Sequence, residues 1–311
     1  MTTVALTYGL SRPGTIAGAL DAVEQEVGQA IRARSCCRVL IKPNMVSTSR
    51  PLAATHVDAL EAVLDRLQRY QDNIGKIIIG EGPAGSPAQE GFTNYGYLKL
   101  AEEYSVEFMD LNRDSCIKAR VLQIEGGEAE VRIAETAVES DYKISLTVPK
   151  THETAMYTGA TKNFIMGSVI WDETDDKIKV HGFNERRKWD KYYTRAVKMI
   201  HKNIARLFRI LRPDLSVIDG FVAMEGNGPV MGTPLNLGVA VVGRDPVATD
   251  AVAASVMGFS PLDIGYLYYI DKEGLGTAQL SRIEVVGSKI SDVRKKCRPH
   301  RDYAIQSDWR L

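Results

Sequence analysis

The sequence predicts an α/β fold with a mostly parallel sheet covered by helices. Short apolar strands alternate along the chain with longer segments whose apolar residues recur at helical spacing. One stretch, around residues 117–135, departs from this alternation and predicts an antiparallel hairpin. Apolar residues make up 44% of the 311 residues, which is enough to build the large core that such a fold requires.

Strands and helices alternate through the first part of the chain. The predicted strands are short and apolar, at 3–8, 38–41, 76–79 and 106–111. The predicted helices place their apolar residues on one stripe, at 14–33, 55–70 and 94–104. Thr55 can cap the second helix, because its hydroxyl can accept a hydrogen bond from the first turn. This repeated order predicts parallel strand pairing.

The hairpin interrupts this order, and the alternation then resumes. Two strands flank residues 125–128, Glu-Gly-Gly-Glu, a sequence typical of a tight turn. The strands predicted after the hairpin lie at 142–149, 215–218 and 237–242. The helices predicted after it are a basic one at 194–211 and one at 246–257 that ends at Gly258. Residues 172–193 are charged and poorly periodic, which indicates a surface loop or, alternatively, a lid over a site.

We expect residues 1–288 to form one α/β unit. The alternative is two lobes, at about 1–115 and 142–288, joined by the hairpin region. Residues 289–311 form a basic C-terminal tail, whose first part, 289–301, is expected to be solvated.

Composition argues against several classes of protein. The net charge is zero, so no overall basic field attracts nucleic acid, although the helix at 194–211 and the tail keep that partner as an alternative. No apolar run approaches the ~18 residues of a membrane span, and the N-terminal residues do not resemble a secretory signal, so no membrane partner is expected. The four cysteines have neither zinc-ligand nor iron–sulfur spacing, and we expect reduced thiols in the cytoplasm.

Polar side chains follow five of the predicted strands at the point where each strand ends. These segments are Lys42-Pro43-Asn44, Gly80-Glu81-Gly82, Lys150-Thr151-His152, Asp219-Gly220 and Gly243-Arg244-Asp245. The carboxyl ends of parallel strands lie at one edge of a sheet, where ligand-binding crevices form. We therefore expect a shared site for a small anionic ligand at this edge.

Residues 145–167 carry the densest group of such side chains. Lys150 and His152 lie two residues apart, so they share a face if the strand continues. The lysine charge would lower the pKa of the imidazole and keep His152 available as a general base. Lys162 and Asn163 follow a glycine turn into a helix, whose free N–H groups can bind an anion. The alternative for His152 is an ordinary loop histidine with a structural hydrogen bond.

A glycine-rich stretch at 219–234 contains a second set of candidates. Glu225 can act as a base or a metal ligand, and Asn227 can contact a substrate. Gly226 and Gly228 would allow the backbone to approach a ligand closely. The alternative is a tight turn with a solvated Glu225.

Acidic residues near these strand ends suggest a metal site. Its members would be Glu81, Asp245 and Asp250, whose oxygen atoms suit Mg²⁺ or Mn²⁺, whereas His152 would favour Zn²⁺ or Fe²⁺. Asp245 precedes Pro246 and can instead cap a helix. The cofactor is therefore left open, with a divalent metal as one alternative.

Taken together, these motifs resemble the family called domain of unknown function 362. The matching segments are Lys42-Pro43-Asn44, Pro149-Lys150-x-His152, Gly159-x-x-Lys162-Asn163, Asp219-Gly220, Met224-Glu225-Gly226-Asn227-Gly228-Pro229 with Gly232, and Asp245-Pro246-x-Ala248-x-Asp250. Their order and spacing match over about residues 38–287. The biochemical role of this family is poorly defined. Many members carry a ferredoxin-like module with clustered cysteines, which this sequence lacks, so no iron–sulfur cluster is expected.

Two functions fit this pattern. The first is an enzyme that acts on a small anionic metabolite, with one of His152, Glu225 and Lys150 moving a proton, which typically contributes ~10²–10⁴-fold. The residues that would bind its substrate are Lys42, Asn44, Lys162, Asn163, Asn227, Gly226 and Gly228. The second is a non-catalytic protein that binds a metabolite or cofactor in the same crevice. The loop at 158–162 also looks a little like the glycine–lysine loop of lactate racemase-type, nickel-pincer proteins.

Overall fold

The computed structural model describes the backbone of residues 1–183 and 189–310, and the side chains of these residues except 189–192. The strands are β1 (Thr2–Tyr8), β2 (Cys37–Lys42), β3 (Ile74–Glu81), β4 (Val106–Asp110), β5 (Cys116–Leu122), β6 (Glu128–Ala134), β7 (Tyr142–Thr147), β8 (Lys150–His152), β9 (Met156–Thr158), β10 (Leu215–Asn227), β11 (Met231–Gly243) and β12 (Ile283–Gly287). The helices are α1 (Arg12–Ala22), α2 (Glu24–Arg32), α3 (Val57–Gln68), α4 (Ala88–Asn94), α5 (Leu100–Glu103), α6 (Glu135–Glu139), α7 (Ala160–Ser168), α8 (Asp176–Val180), α9 (Trp189–Phe208), α10 (Pro246–Val256), α11 (Gly265–Lys272), α12 (Ile290–Val293) and α13 (Tyr303–Ser307).

The described residues build one ten-stranded sheet, in the order β12-β1-β11-β10-β7-β2-β3-β4, with β8 and β9 attached beside β10. Every pair along the main path is parallel except the two that β11 makes with β1 and β10. β5 and β6 form a separate antiparallel pair. The predicted fold class is therefore confirmed, including the hairpin excursion. The same sheet contains strands from 1–115 and from 142–288, with β7 lying between β2 and β10.

Helices cover both faces of the sheet. Successive residues of the buried strands point to opposite faces, so each strand contributes side chains to two cores. Leu40 and Ile78 pack into the core on the α7, α9 and α10 side, whereas Val39 and Ile79 pack into the core on the α1 and α3 side. Within the described residues, no helix is both long and apolar enough to cross a membrane.

Several helix boundaries differ from the prediction. The helix predicted at 14–33 is divided at Val23 into α1 and α2. α3 begins at Val57 with His56 as its cap, since the His56 ring accepts a hydrogen bond from the Asp58 N–H at 3.2 Å. Thr55, the predicted cap, instead accepts from the Asn44 N–H at 2.8 Å and donates to a carbonyl of β7 at 2.9 Å. It therefore ties the ends of two neighbouring strands together.

Two segments predicted as irregular are ordered parts of the fold. The glycine-rich stretch at 219–234 belongs to the long β10–β11 hairpin, because both strands continue well past the segments that the sequence predicts. Most residues of the tail at 289–301 are exposed, as predicted, but Cys297 and His300 are buried against the body of the protein. Of residues 172–193, positions 176–180 form α8, α9 begins at 189, and the backbone of 184–188 lies outside the described residues.

Candidate functional site

A cavity of about 470 Å³ lies beyond the carboxyl ends of β2 and β3, beside the β8–β9 hairpin and α7. Its polar walls are formed by Asn44, Glu81, His152, Glu153, Lys162, Asn163, Lys177 and His181. Its apolar walls include Met45, Pro83, Met166, Trp171, Ile178 and Pro229. Pockets of ~300–1,000 Å³ are typical of small-molecule sites, so the cavity can hold a metabolite-sized ligand.

The start of α7 is held in place by Asp250, which lies on α10 and is fully buried. Its Oδ1 accepts a hydrogen bond from the Ala160 N–H at 2.6 Å, and its Oδ2 accepts one from the Thr161 N–H at 3.0 Å. A helix start leaves such N–H groups without partners, so this carboxylate caps α7 from another helix. Gly159 permits the close approach, because a Cβ there would lie 2.1 Å from Asp250 Oδ1. Asp250 thereby positions the turn that carries Lys162.

Lys42 lies behind the cavity wall and forms a buried ion pair with Glu81, which lines the cavity. The Lys42 Nζ lies 2.8 Å from Glu81 Oε2, and the two side chains are 0% and 3% exposed. Lys42 also donates to the Pro43 carbonyl at 2.8 Å and to Asn163 Oδ1 at 3.1 Å. An ammonium group has three donors, and these contacts use all of them. Burial lowers the pKa of Lys42, and the Glu81 charge opposes that effect. Lys42 is therefore a structural cation rather than one that faces a ligand.

Two asparagines connect this ion pair to a second lysine. The Asn44 Nδ2 donates to Asn163 Oδ1 at 2.9 Å, and the Asn163 Nδ2 donates to Ser145 Oγ at 3.1 Å. Lys150 donates to Asn44 Oδ1 and to the Ala53 carbonyl, the latter at 3.4 Å. Lys150 thus lies behind Asn44 and outside the cavity wall. The two amides reach the cavity in orientations that the lysines fix.

His152 and Lys162 are in contact on the cavity wall, with the His152 Nε2 3.0 Å from the Lys162 Nζ. On the other side of the ring, Nδ1 accepts hydrogen bonds from the backbone N–H groups of Thr154 at 3.1 Å and Ala155 at 3.3 Å. The turn after β8 is held from outside, because Gln306 of the tail donates to the His152 carbonyl at 2.8 Å. The histidine ring is therefore fixed by the backbone and its Nε2 is directed at Lys162.

Lys177 enters the cavity from α8. Its Nζ donates to the Gly82 carbonyl and to the Met166 carbonyl, both at 2.6 Å. The same helix turn carries His181, whose Nδ1 lies 2.9 Å from the Lys177 carbonyl. Two backbone acceptors leave one donor of a protonated Lys177 for a ligand. The sequence prediction missed Lys177 and His181, because their segment has no periodicity that would place it beside the strand ends.

An ion-pair network fixes α8 against the β5–β6 hairpin. Asp176 accepts from the Arg132 Nε at 2.9 Å and from the Arg132 N–H at 3.0 Å, and it also pairs with Lys179 at 2.6 Å. Arg132 reaches Asp172 at 2.6 Å as well. Asp176 is almost fully buried, and these partners lower its pKa against the effect of burial. The described part of 172–193 is thus anchored by the predicted hairpin and supplies part of the cavity wall.

Burial depresses the pKa values of the basic groups in this region. Desolvation lowers the pKa of Lys150, Lys162 and Lys177 to about 7 in each case. It also lowers the pKa of His181 to about 4 and holds that of His152 well below its usual range, with the Lys162 charge adding to both shifts. Near neutral pH, these three lysines therefore exchange protons readily and the two histidines are neutral.

Four of the residues predicted from the β10 end lie outside the cavity. Glu225 Oε2 accepts from the Arg298 N–H at 2.8 Å, and Asn227 contacts the backbone of the tail at 3.4 Å. Gly226 and Gly228 pack against β8 and the tail, where the Thr151 hydroxyl donates to the Gly226 carbonyl at 2.8 Å. These residues attach the tail and β8 to β10 and do not reach the cavity.

The three predicted metal ligands are not brought together. Asp245 follows β11, which runs antiparallel to its neighbours, so this strand ends at the opposite edge of the sheet from the cavity. Asp245 caps α10 by accepting from two of its backbone N–H groups at 2.9 and 3.2 Å. Asp250 caps α7, and Glu81 pairs with Lys42. Among the described residues, no group of three or more His, Cys, Asp or Glu side chains could hold a metal ion.

The fold and cavity define an α/β protein with a cavity that Lys162 and Lys177 help to line. The chain belongs to the DUF362 family, a domain of unknown function, whose family model matches residues 39–255. The predicted family is thereby confirmed. A thylakoid-associated protein of Synechocystis sp. is 26% identical over 238 residues, which cover 76% of this chain and 68% of that protein.

Two solved structures are similar to this chain. The lactate racemase apoprotein from Thermoanaerobacterium thermosaccharolyticum has a TM-score of 0.47 and 15% identity, covering 78% of this chain and 54% of that chain. A protein from Thermotoga maritima has a TM-score of 0.43 and 12% identity, covering 85% and 59% respectively. The chain therefore spans little more than half the length of either solved chain.

Proposed function

We propose that this protein is an enzyme that binds a small anionic metabolite and moves a proton to or from it. The supporting observation is that, among the described residues, three buried lysines have no carboxylate partner at ion-pair distance; two line the cavity and Lys150 lies behind its wall, and Glu153 acts on Lys162 only at longer range. Glu81 neutralises Lys42, but in the described part of the chain no carboxylate lies within ion-pair distance of Lys150, Lys162 or Lys177. Uncompensated buried cations are costly, and an anionic ligand would offset that cost.

The two lysines that line the cavity have different roles in this proposal. Lys177 has backbone oxygen acceptors on two sides, so its remaining donor would bind the anionic group of the ligand. Lys162, to which His152 is hydrogen bonded, is the proton-transfer group in this proposal, because a group with a pKa near the working pH exchanges protons most effectively. Asn44 would orient the substrate from the opposite wall. The apolar wall formed by several side chains, Trp171 among them, suits a ligand with a carbon skeleton.

Binding can be tested by calorimetry with inorganic phosphate and with pyruvate, each in two buffers that differ in ionisation enthalpy. An anion stabilises the protonated lysines, so the protein should take up protons from the buffer on binding, and a ligand at 100 times its Kd should add about 2.7 kcal/mol of stability. Lys177→Met should abolish this binding. The matched control is Lys99→Met, which removes an exposed lysine outside the cavity wall and should bind as wild type does.

Proton transfer can be tested separately by following the exchange of pyruvate methyl protons for deuterium by NMR in D₂O. Wild type should accelerate this exchange, and Lys162→Met should lose at least ~100-fold of that acceleration. Binding without exchange for any of a panel of oxo and hydroxy acids would instead indicate a non-catalytic binding protein. Absence of both binding and exchange would refute the proposed function.

The cellular location belongs to the same proposal. The four cysteines are free thiols in the structure, two of them buried. Such thiols are typical of a reducing compartment, and we place the protein in the cytoplasm on this basis. A protein recovered with the membrane or periplasmic fraction after gentle lysis would contradict that assignment.

A further inference from the structure

The hydrogen bonds of His152 determine which of its ring nitrogens carries the proton. Backbone N–H groups can only donate, and two of them, from Thr154 and Ala155, point at Nδ1. Nδ1 therefore has no proton of its own, and the proton of the neutral ring must lie on Nε2. This is the nitrogen that faces Lys162.

The protonation of Lys162 follows from that of His152. An ammonium group has no lone pair, so it cannot accept a hydrogen bond from an Nε2–H group. The 3.0 Å contact between the two nitrogens is a hydrogen bond only if the Lys162 amine is neutral and accepts. Two further observations agree with a neutral amine. Burial lowers the pKa of Lys162 to about 7, and the start of α7 places the positive end of the helix dipole beside it.

The charged groups around Lys162 do not reverse this conclusion. Glu153 favours its protonation, but burial outweighs that effect. Lys150 and Lys177 add positive charge nearby, and the neutral rings of His181 and His201 have pKa values lowered to about 4 and about 3. A protonated Lys150 or Lys177 would repel a charge on Lys162, whereas the neutral histidine rings carry no charge that would favour or oppose it.

Lys162 differs from the other buried lysines of the site in the direction of its hydrogen bonds. Lys42 and Lys177 donate to oxygen atoms, as does Lys150 behind the wall. Of these four lysines in the described structure, Lys162 alone has a donor directed at its nitrogen, and it also lines the cavity. A neutral amine in a cavity is a nucleophile toward carbonyl carbon.

We propose that Lys162 forms an imine with a small aldehyde or ketone that carries a carboxylate or phosphate group, which Lys177 would bind. This inference rests on the proposed function, because the same cavity must hold the anionic group. The Lys162 nitrogen forms a bond to the carbonyl carbon, and the carbon–oxygen bond then breaks. The oxygen leaves as water with the two amine protons. Both protons pass from nitrogen to oxygen through solvent water, while the neutral His152 ring keeps its Nε2 proton and donates a hydrogen bond that orients the amine before attack.

The imine would serve the proton transfer proposed above. Once protonated, it withdraws electrons from the neighbouring carbon and acidifies its C–H bonds, in the way that lysine-based enzymes activate carbonyl substrates. The substrate class is thereby narrowed from any small anion to an oxo compound with an anionic group. No metal or organic cofactor is needed for this step, because the protonated imine formed from the lysine withdraws the electrons.

The experiment traps the imine by reduction with sodium cyanoborohydride in the presence of pyruvate, and separately in the presence of glyceraldehyde, which is uncharged. Peptide mass mapping then locates the reduced adduct. At pH 7.4 we expect Lys162 to be labelled on the order of 100-fold faster than an exposed lysine, because few exposed amines are neutral at that pH. Lys162→Arg should introduce a permanent cation and lose the adduct. Lys99→Arg, at an exposed lysine, should retain the adduct at Lys162.

The possible results separate this inference from the proposed function. Calorimetric binding of pyruvate without a trapped adduct at Lys162, or an adduct at Lys177 instead, would overturn the imine and leave the anion site intact. Trapping at Lys162 by glyceraldehyde, without any binding of phosphate or pyruvate, would support the nucleophile and refute the anion site. Because the mapping is made on folded wild-type protein, the result does not depend on the stability of the Lys162→Arg variant.

Discussion

Lys177→Met should change how the stability of the protein depends on pH. The Lys177 pKa is lowered from 10.5 to about 7 in the folded protein, because the ammonium is buried between two carbonyl oxygens. Between these two pH values the unfolded chain binds one more proton than the folded chain at this residue. The free energy of unfolding must therefore rise with pH over this range, by about 1.4 kcal/mol per pH unit for one lysine.

The size of the effect follows from the pKa shift. A shift of this extent corresponds to about 5 kcal/mol of destabilisation below pH 7, where both states are protonated. Methionine removes this cost, but it also removes two hydrogen bonds worth roughly 1 kcal/mol each. The variant should thus be about 3 kcal/mol more stable than wild type at pH 6, and the two stabilities should become equal near roughly pH 9.

The assay is urea unfolding of wild type and Lys177→Met at several values between pH 6 and 10, without added anions. Comparing the two proteins removes the contributions of all other titrating groups that they share. Lys99→Met is the control, because Lys99 is exposed and lies outside the cavity wall. The control should keep the wild-type pH slope. Equal slopes for wild type and Lys177→Met would refute the conclusion that this lysine is charged at a desolvated position.

Three further substitutions test the framework of the cavity by urea unfolding at pH 7. Asp250→Asn should cost about 1–3 kcal/mol, because one of the two α7 backbone N–H groups then faces an amide donor. An unchanged midpoint of urea unfolding would show that the cap is dispensable. Glu81→Gln should cost about 3–5 kcal/mol, because it leaves the Lys42 ammonium without its carboxylate. Adding Lys42→Met should recover most of this loss in stability. No recovery would contradict the ion-pair explanation. Gly167→Ala should cost roughly 1–3 kcal/mol, because its Cβ would lie 2.2 Å from Lys42 Nζ, and a neutral effect would mean that this contact relaxes freely.

The part of the site that the sequence predicts is the part built by local rules. Lys150 and His152 belong to one strand end, and Lys162 and Asn163 to the helix that follows it, so short chain connections bring them together. Asn44 joins them because β2 and β7 are parallel neighbours, and parallel strands end at the same edge. Strand periodicity and this single topological rule are sufficient for these five residues.

The residues misplaced by the prediction depend on strand direction, which periodicity does not contain. Asp245 follows an apolar strand as the lysines do, but β11 is antiparallel to its neighbours and ends at the far edge. Glu225 lies in an extended hairpin whose glycine-rich sequence resembles that of a loop. Its carboxylate accepts a hydrogen bond from the backbone N–H of Arg298 in the tail. A strand-end motif therefore indicates a site only when the pairing direction of that strand is known.

The residues missed by the prediction depend on a contact between distant parts of the chain. Lys177 and His181 come from a charged segment without periodicity, and long-range contacts such as the pairing of Asp176 with Arg132 bring that segment over the cavity. The sequence does show both charges of this pair and the hairpin that carries Arg132. It cannot show that they meet, because the two residues lie 44 positions apart.

The cost of burying these lysines connects the stability of the protein to its ligand. A folded domain is typically stable by only ~5–15 kcal/mol, and each of three lysines has its pKa lowered from 10.5 to about 7. If the cavity had only a structural role, apolar side chains of similar volume could replace these lysines without this desolvation cost. An anionic ligand that stabilises the protonated form of Lys177 would recover part of that cost. Lys162 would stay neutral and remain available as the nucleophile. The ligand that raises the free energy of unfolding most should therefore be an oxo compound with an anionic group, and a stability screen should rank it above phosphate.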